Sequence, residues 1–396
     1  MNRFKYIIVG GGIAAYNAIK AIREHDKEGS LALISAEDSL PYDRPTLSKD
    51  LWLEEDMSTA DIKHELDGLK VNAFLGHRVT ELEPDNKTLA CDKDMTFHFD
   101  KLLIATGGEP ITLDNAPQEV LYYRSLADYK NLRKLSEEKT KFAVIGGGYI
   151  GPELAASLSA NGNHVSLIFP EAGISAERFP EALVKHINNN YERQGIDLIK
   201  EDKVASVERA GEGFRLKSHK GKELEVEAVV AGLGIRPAIA FAEEAGLETE
   251  NEGLWVDDYL QTSQADIYAA GDIASFHNLA LDKRMRIEHE DAARSMGKTA
   301  GANMAGANKR YDYLPYFYSD MFDMGYEAVG ELNSELDTMI DKQDDFDKAV
   351  VYYLKDDEVK GVLLWNVWEK IDEARALIRS GESFNKEALK GKIALS

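Results

Sequence analysis

The chain has 396 residues, with 47 Lys and Arg against 70 Asp and Glu, a formal net charge of −23. That balance argues against nucleic acid as a partner, because phosphate binding needs a basic surface. At 44% hydrophobic and 30% charged, the composition is that of a globular protein with enough apolar residues for two or three domain cores. A single cysteine, Cys91, excludes an intrachain disulfide, a CxxC redox pair and a Cys-rich metal site. No metal site is expected, and Cys91 reads as a small, partly buried hydrophobe.

The opening reads strand, glycine turn, helix, strand. Tyr6 to Val9 is a short apolar strand, Gly10-Gly11-Gly12 turns, and Ile13 to Arg23 carries a helical apolar rhythm before the buried strand Leu31 to Ile34. Such a βαβ unit implies a parallel sheet. It also speaks against a secretory signal, since residues 1–5 run directly into the strand. The stretch 360–365 is far shorter than the roughly 20 apolar residues that span a bilayer, so a soluble, cytoplasmic protein with no membrane span is expected.

Within that unit, Gly10, Gly12 and Ala15 fit the dinucleotide fingerprint G-x-G-x-x-G/A. The first glycine permits the tight turn, the second lets backbone amides approach a pyrophosphate, and the small third residue lets helix and strand pack closely. An acid should follow the second strand to bind ribose hydroxyls, and Glu37 stands there. The full form recurs at Gly146, Gly148 and Gly151, with Tyr149 and Ile150 at the start of its helix and Glu171 after its second strand. An acid at that place repels a 2′-phosphate, which favours NADH over NADPH; Arg178 nearby works against it.

Further along, Leu102 to Ile104 leads into Ala105, Thr106 and Gly107, and Ile267 to Ala270 leads into Gly271 and Asp272. Beyond about residue 312 the texture changes. Residues 346–354 and 358–365 predict a hairpin around Lys355-Asp356-Asp357, followed by a helix over 367–380 ended by Gly381. The acidic run 341–347 reads as a solvated loop.

Two fingerprints plus these glycine turns resemble the two-dinucleotide flavoprotein reductases. The segment Leu40-Pro41-Tyr42-Asp43-Arg44-Pro45-Thr46-Leu47-Ser48-Lys49-Asp50-Leu51-Trp52 is similar to one shared by the apoptosis-inducing-factor family and the related ferredoxin reductases. So, in order, are Phe169-Pro170-Glu171, Arg286-Ile287-Glu288-His289, residues 300–306, Gly325 to Gly330 and residues 352–366. The resemblance implies an α/β fold of two Rossmann-like dinucleotide-binding domains, for FAD and NAD(H), with a C-terminal α+β domain. Its expected boundaries are 1–111 and 234–311 for FAD, 112–233 for NAD(H), and 312–396 for the last domain.

It further implies that Gly10, Gly12, Ala15, Glu37, Arg44, Lys49, Thr106, Gly107, Asp272 and Tyr318 meet FAD. Gly146, Gly148, Tyr149, Ile150, Gly151, Glu153, Glu171, Glu288 and His289 would meet NAD. Lys49 would lie beside the flavin paired with Glu153, the two as catalytic residues, the cation stabilising negative charge on the reduced ring. Two positions depart from the family pattern. Ala36 stands where an acid is usual, shifting ribose binding to Glu37, and Tyr318 stands where a tryptophan is common.

The implied activity is hydride transfer from NADH to the flavin and electron transfer onward to a quinone or other small acceptor. A reductase for ferredoxin or rubredoxin is the alternative, for which Lys283, Arg284 and Arg286 offer a basic patch. A redox-sensing binding protein with incidental turnover is a third reading. The oligomeric state stays open between monomer and homodimer. Disulfide chemistry is excluded for want of a second thiol.

Overall fold

A computed structural model describes residues 2–395. The backbone divides into two compact units. One holds the segments up to Arg44, Thr59–Glu109 and Arg236–Pro315; the other holds Pro45–Ser58, Pro110–Ile235 and the chain from Tyr316 onward.

The first unit is built on a sheet of seven strands. Asn2–Val9 runs parallel to Leu31–Ser35 on one side and to Thr96–Ile104 on the other, with Val71–Leu75 beyond Leu31–Ser35 and Ile267–Ala269 beside Thr96–Ile104. Thr88–Cys91 and Val79–Glu83 extend the other edge antiparallel. Tyr6 to Ile8, Leu31 to Ile34 and Leu102 to Ile104 are essentially sealed from water. Continuous apolar runs of this kind are what a parallel sheet covered on both faces requires.

The helix Ile13–His25 lies against the helix Glu290–Met304, and glycine sets how closely. A Cβ at Gly297 would stand 2.1 Å from the Ala14 carbonyl oxygen, and one at Gly301 2.4 Å from that of Ala18. Small residues four apart on both helices therefore let the backbones touch.

The second unit carries two five-stranded sheets and a small antiparallel one, Val204–Ala210, Gly213–Ser218 and Glu223–Val226. The first is all-parallel: Asp197–Ile199, His164–Ile168, Lys141–Ile145, Ala228–Ala231 and Leu121–Tyr122, in that spatial order. The helix Ile150–Ala160 follows Lys141–Ile145 and completes the second βαβ unit. The second sheet is antiparallel: Tyr316–Met321, Met324–Gly330, Glu358–Trp365, Ala349–Lys355 and Asp337–Lys342.

The expected hairpin is present, with Asp356 and Asp357 both at positive φ (52° and 63°), as a two-residue primed turn demands. Ile371–Ser380 buries Ala374, Leu377 and Ile378 and ends at Gly381 in the left-handed region. It starts later than residue 367, because Asn366 and Glu369 both take positive φ and break any earlier helical run. Parallel sheets with helices and a C-terminal sheet-plus-helix make up the expected α/β class.

One reading is corrected. Asp341 is not part of a solvated loop: it is buried on the edge strand Asp337–Lys342, where its carboxylate accepts the Gly391 amide at 2.6 Å.

Candidate functional site

The first fingerprint begins with a backbone demand. Gly10 has φ +118°, and a Cβ there would stand 2.0 Å from the Ala105 carbonyl oxygen. Only glycine satisfies both. Gly12 differs: no atom lies within 4 Å of where its Cβ would be. It is the N-cap of Ile13–His25, a helix with no side-chain cap and no acid in its first turn. A bare helix start facing open space, with the macrodipole behind it, is a ready site for an anion. Ala15, fully buried, lets the helix close on the sheet.

Three of the residues assigned to FAD come together in this unit. Glu37 accepts from the Tyr42 hydroxyl at 2.6 Å and from the Arg44 guanidinium at 2.9 Å, and that guanidinium lies 5.0 Å over the Tyr42 ring. Burial opposes the Arg44 charge, but Tyr42, Glu37 and Asp272 outweigh it, and its pKa is raised. Asp272 thus belongs electrostatically to the Glu37–Arg44 group, carried there by the turn at Gly271, whose φ is +81°. The Thr106 hydroxyl donates to the Ala238 carbonyl at 2.7 Å beside Gly107, at φ +65°.

Glu288 pairs with Arg286 at 2.5 Å, and His289 caps Glu290–Met304, its Nδ1 accepting the Asp291 amide at 3.3 Å. Both residues lie in the unit of the first fingerprint.

The second fingerprint repeats the geometry. Gly146 has φ +117° with a Cβ position 2.2 Å from the Gly232 carbonyl oxygen, and at Gly151 a Cβ would sit 1.9 Å from that of Gly146. Gly148 again faces open space. The helix starts at Ile150 behind Tyr149, without a side-chain cap, and both residues are exposed. Arg178 stacks its guanidinium 3.9 Å over the Tyr149 ring and donates to the Ser175 hydroxyl at 3.2 Å. Oε2 of Glu171 and Nε of Arg178 are buried with no protein partner. Buried polar atoms are rarely left so, and here two occur beside an open glycine turn. A dinucleotide fits both fingerprints: each offers an open glycine over a helix start with no side-chain cap, and the second adds an unmatched acceptor and donor.

Glu153 lies one turn into the same helix and is buried. Its Oε1 lies 3.2 Å from the Lys49 ammonium and accepts from the Ser319 hydroxyl at 2.5 Å; its Oε2 accepts from the Ser48 hydroxyl at 2.6 Å. Lys49, also buried, stands 4.5 Å over the Tyr318 ring and 3.8 Å from the exposed carboxylate of Asp320. The predicted Lys49–Glu153 pair and the aromatic Tyr318 are therefore one cluster. The two hydroxyls on Glu153 went unnoticed in the sequence, although one is the neighbour of Lys49 and the other of Tyr318.

Cys91 is buried on Thr88–Cys91, and burial, with Asp92 adding to it, pushes its thiol up to about 11. At neutral pH about one molecule in ten thousand then carries the reactive thiolate. Iodoacetamide should leave the folded protein unmodified over hours and label it only in denaturant, read by intact mass. Among the described residues no group of three or more His, Cys, Asp or Glu could hold a metal, and no helix is long and apolar enough to cross a membrane.

Residues 4–297 match the pyridine nucleotide-disulphide oxidoreductase family, and residues 300–340 and 338–380 match the C-terminal region of mitochondrion-associated apoptosis-inducing factor. The chain is 33% identical to apoptosis-inducing factor 1, mitochondrial, of Dictyostelium discoideum, over 96% of its own length and 79% of that protein's. It is 32% identical to monodehydroascorbate reductase 2 of Arabidopsis thaliana, over 98% and 97%. Its fold superposes on a ferredoxin reductase from Rhodopseudomonas palustris with a TM-score of 0.89 and 25% identity, covering 97% of this chain and 96% of the other. With one cysteine it has no pair of thiols for the disulphide branch of that chemistry. The chain belongs to the pyridine nucleotide-disulphide oxidoreductase family, as an oxidoreductase dependent on FAD and NAD(P)H.

Proposed function

We propose that the chain is an NADH-dependent FAD oxidoreductase of the apoptosis-inducing-factor type that delivers electrons to a quinone or another small acceptor. The observation that carries this reading is the presence of two open-glycine cradles together with a buried Lys49–Glu153 pair and no thiol pair. FAD, when bound, would supply the hydride acceptor for NADH and the electron relay to the acceptor. The protein's share is to bind and orient. In this reading Gly12 and the start of Ile13–His25 receive the FAD pyrophosphate, Glu37 takes ribose hydroxyls, and Arg44 and Asp272 hold the cofactor's polar edge. Gly148 and Glu171 do the same for NADH.

A protein carrier is the second reading, supported by the ferredoxin reductase relative. Iron–sulfur carriers that are acidic need a basic landing patch, and Lys283, Arg284 and Arg286 are the candidates. The two arginines are neutralised locally. Arg284 pairs with Glu250 at 3.1 Å, and Arg286 pairs with Glu288 at 2.5 Å and Glu252 at 3.7 Å. That favours a small acceptor. The monodehydroascorbate reductase relative adds an organic radical to the acceptors to be screened. Steady-state reduction of a benzoquinone, ferricyanide, monodehydroascorbate and a ferredoxin by NADH decides. Fast, salt-insensitive turnover with the small acceptors is expected, and salt-sensitive turnover with ferredoxin alone overturns the reading.

In the proposed reading Lys49 lies beside the flavin ring. Its ammonium should favour the reduced state by about 1–2 kcal/mol, acting through an effective dielectric nearer 20 than 4. Lys49→Met should therefore lower the flavin reduction potential by roughly 30 mV, since 1.4 kcal/mol corresponds to about that for a two-electron couple. FAD content should be nearly unchanged. Glu153→Gln should raise the potential or leave it in place. A potentiometric titration in which Lys49→Met moves the potential upward, or not at all, removes Lys49 from the flavin.

A further inference from the structure

The hydroxyls on Glu153 do something the ion pair alone would not. Both carboxylate oxygens are already held by short hydrogen bonds, from Ser319 at 2.5 Å and Ser48 at 2.6 Å, whereas Lys49 stands farther off at 3.2 Å. Ser48 is itself anchored. The Ser157 hydroxyl donates to its carbonyl at 2.8 Å, and the preceding Leu47 carbonyl accepts from Trp52 Nε1 at 2.8 Å and from the Tyr123 hydroxyl. Ser319 is buried on the strand Tyr316–Met321, between Tyr318 and Asp320. The carboxylate is thus fixed by neutral donors on two separate elements.

We propose that Ser48 and Ser319 are positioning residues that hold Glu153 so that Lys49 stays shared among Glu153, the Tyr318 face and Asp320, leaving more of its positive field for the flavin. The proposal rests on the reading that Lys49 lies beside the flavin. The physical argument is competition for one oxygen. Ser319 donates to Oε1 of Glu153, and the Lys49 ammonium forms its ion pair with the same oxygen at 3.2 Å. Without the hydroxyl, that buried oxygen keeps no hydrogen-bond donor, and leaving it unsatisfied is costly. The flexible ammonium then closes on it and leaves the Tyr318 ring and Asp320, which compete only weakly, at 4.5 and 3.8 Å. A tighter pair projects less positive charge outward.

The test is potentiometry of the FAD-loaded protein on Ser319→Ala, Ser319→Thr and Ser319→Ala/Glu153→Gln, with Lys49→Met and Glu153→Gln as references. Ser319→Ala should shift the equilibrium of flavin reduction roughly threefold toward the oxidised form, about 14 mV for a two-electron couple. Ser319→Thr keeps the hydroxyl and suits a strand, so it should restore the native potential. In the Glu153→Gln background Ser319→Ala should shift nothing further, because the charged oxygen it served is gone. Ser48→Ala, on the other oxygen, should move the potential the same way and stands in if Ser319→Ala fails to fold. If Lys49→Met leaves the potential unmoved, the placement of Lys49 and this proposal both fall. If Lys49→Met lowers it while Ser319→Ala does not, or if Ser319→Ala acts equally in the Glu153→Gln background, the placement stands and the positioning role is overturned.

Discussion

Gly10→Ala and Gly12→Ala, the same substitution two residues apart, should fail in opposite ways. At Gly10 the methyl meets the Ala105 carbonyl at 2.0 Å in a backbone at φ +118°. Ala105 is tied into the sheet by its amide to the Val9 carbonyl at 2.7 Å, so the clash cannot be relieved without parting the strands. The expected cost is about 3–5 kcal/mol, combining overpacking with a strained φ, read as a lowered urea midpoint of the apoprotein. At Gly12 the backbone is extended (φ −93°, ψ −172°) and the methyl meets no protein atom within 4 Å. The apoprotein should therefore melt within about 0.5 kcal/mol of the native chain. What the methyl enters is the space over the bare helix start, and FAD affinity should fall at least ~10-fold, or 1.4 kcal/mol. Gly148→Ala, by the same geometry, should spare both fold and FAD and raise the KM for NADH by a similar factor. Native FAD affinity in Gly12→Ala, measured by flavin fluorescence, would mean that the pyrophosphate does not approach this turn.

These glycines were legible in the sequence because the constraint is local. A turn that needs positive φ, an open amide and a small residue at fixed offsets within six residues can be read from spacing alone. The hairpin at Lys355-Asp356-Asp357 was legible for the same reason. What escaped was set at a distance. Asp341 read as part of a solvated acidic run because its partner, the Gly391 amide, lies 50 residues on. Lys283, Arg284 and Arg286 read as a basic patch, while Glu250 and Glu252, which with Glu288 neutralise the two arginines, arrive from a neighbouring turn. Ser48 and Ser319 reach Glu153 across 105 and 166 residues, with no periodicity linking them. Gly297 and Gly301 stand four apart, but the meaning of that spacing depends on which helix faces it, and that is a tertiary fact.

The nucleotide preference should be equally sharp, and it turns on Glu171. Its Oε2 is buried and unmatched within the protein, as the proposed role of accepting from ribose hydroxyls requires. A 2′-phosphate placed there would bring negative charge against a carboxylate with little water to screen it. The loss of a ribose contact to a charged group together with that repulsion is worth about 1–3 kcal/mol, so kcat/KM should favour NADH over NADPH by roughly 5- to 150-fold. Arg178 is the cation that the sequence sets against this preference. Its guanidinium is stacked at 3.9 Å on Tyr149 and donates from Nη2 to Ser175 at 3.2 Å, with Nε buried and unmatched. Glu171→Gln keeps a hydrogen-bonding side chain and removes the charge, so the preference should shrink about tenfold, chiefly by improved use of NADPH. Arg178→Leu should leave the sign of the preference unchanged, because the stacked guanidinium is not the group that selects. Equal or better kcat/KM with NADPH in the native protein would overturn the role of Glu171. A preference that reverses only when Arg178 is restored to a Glu171→Gln/Arg178→Leu double variant would assign the selection to Arg178 instead.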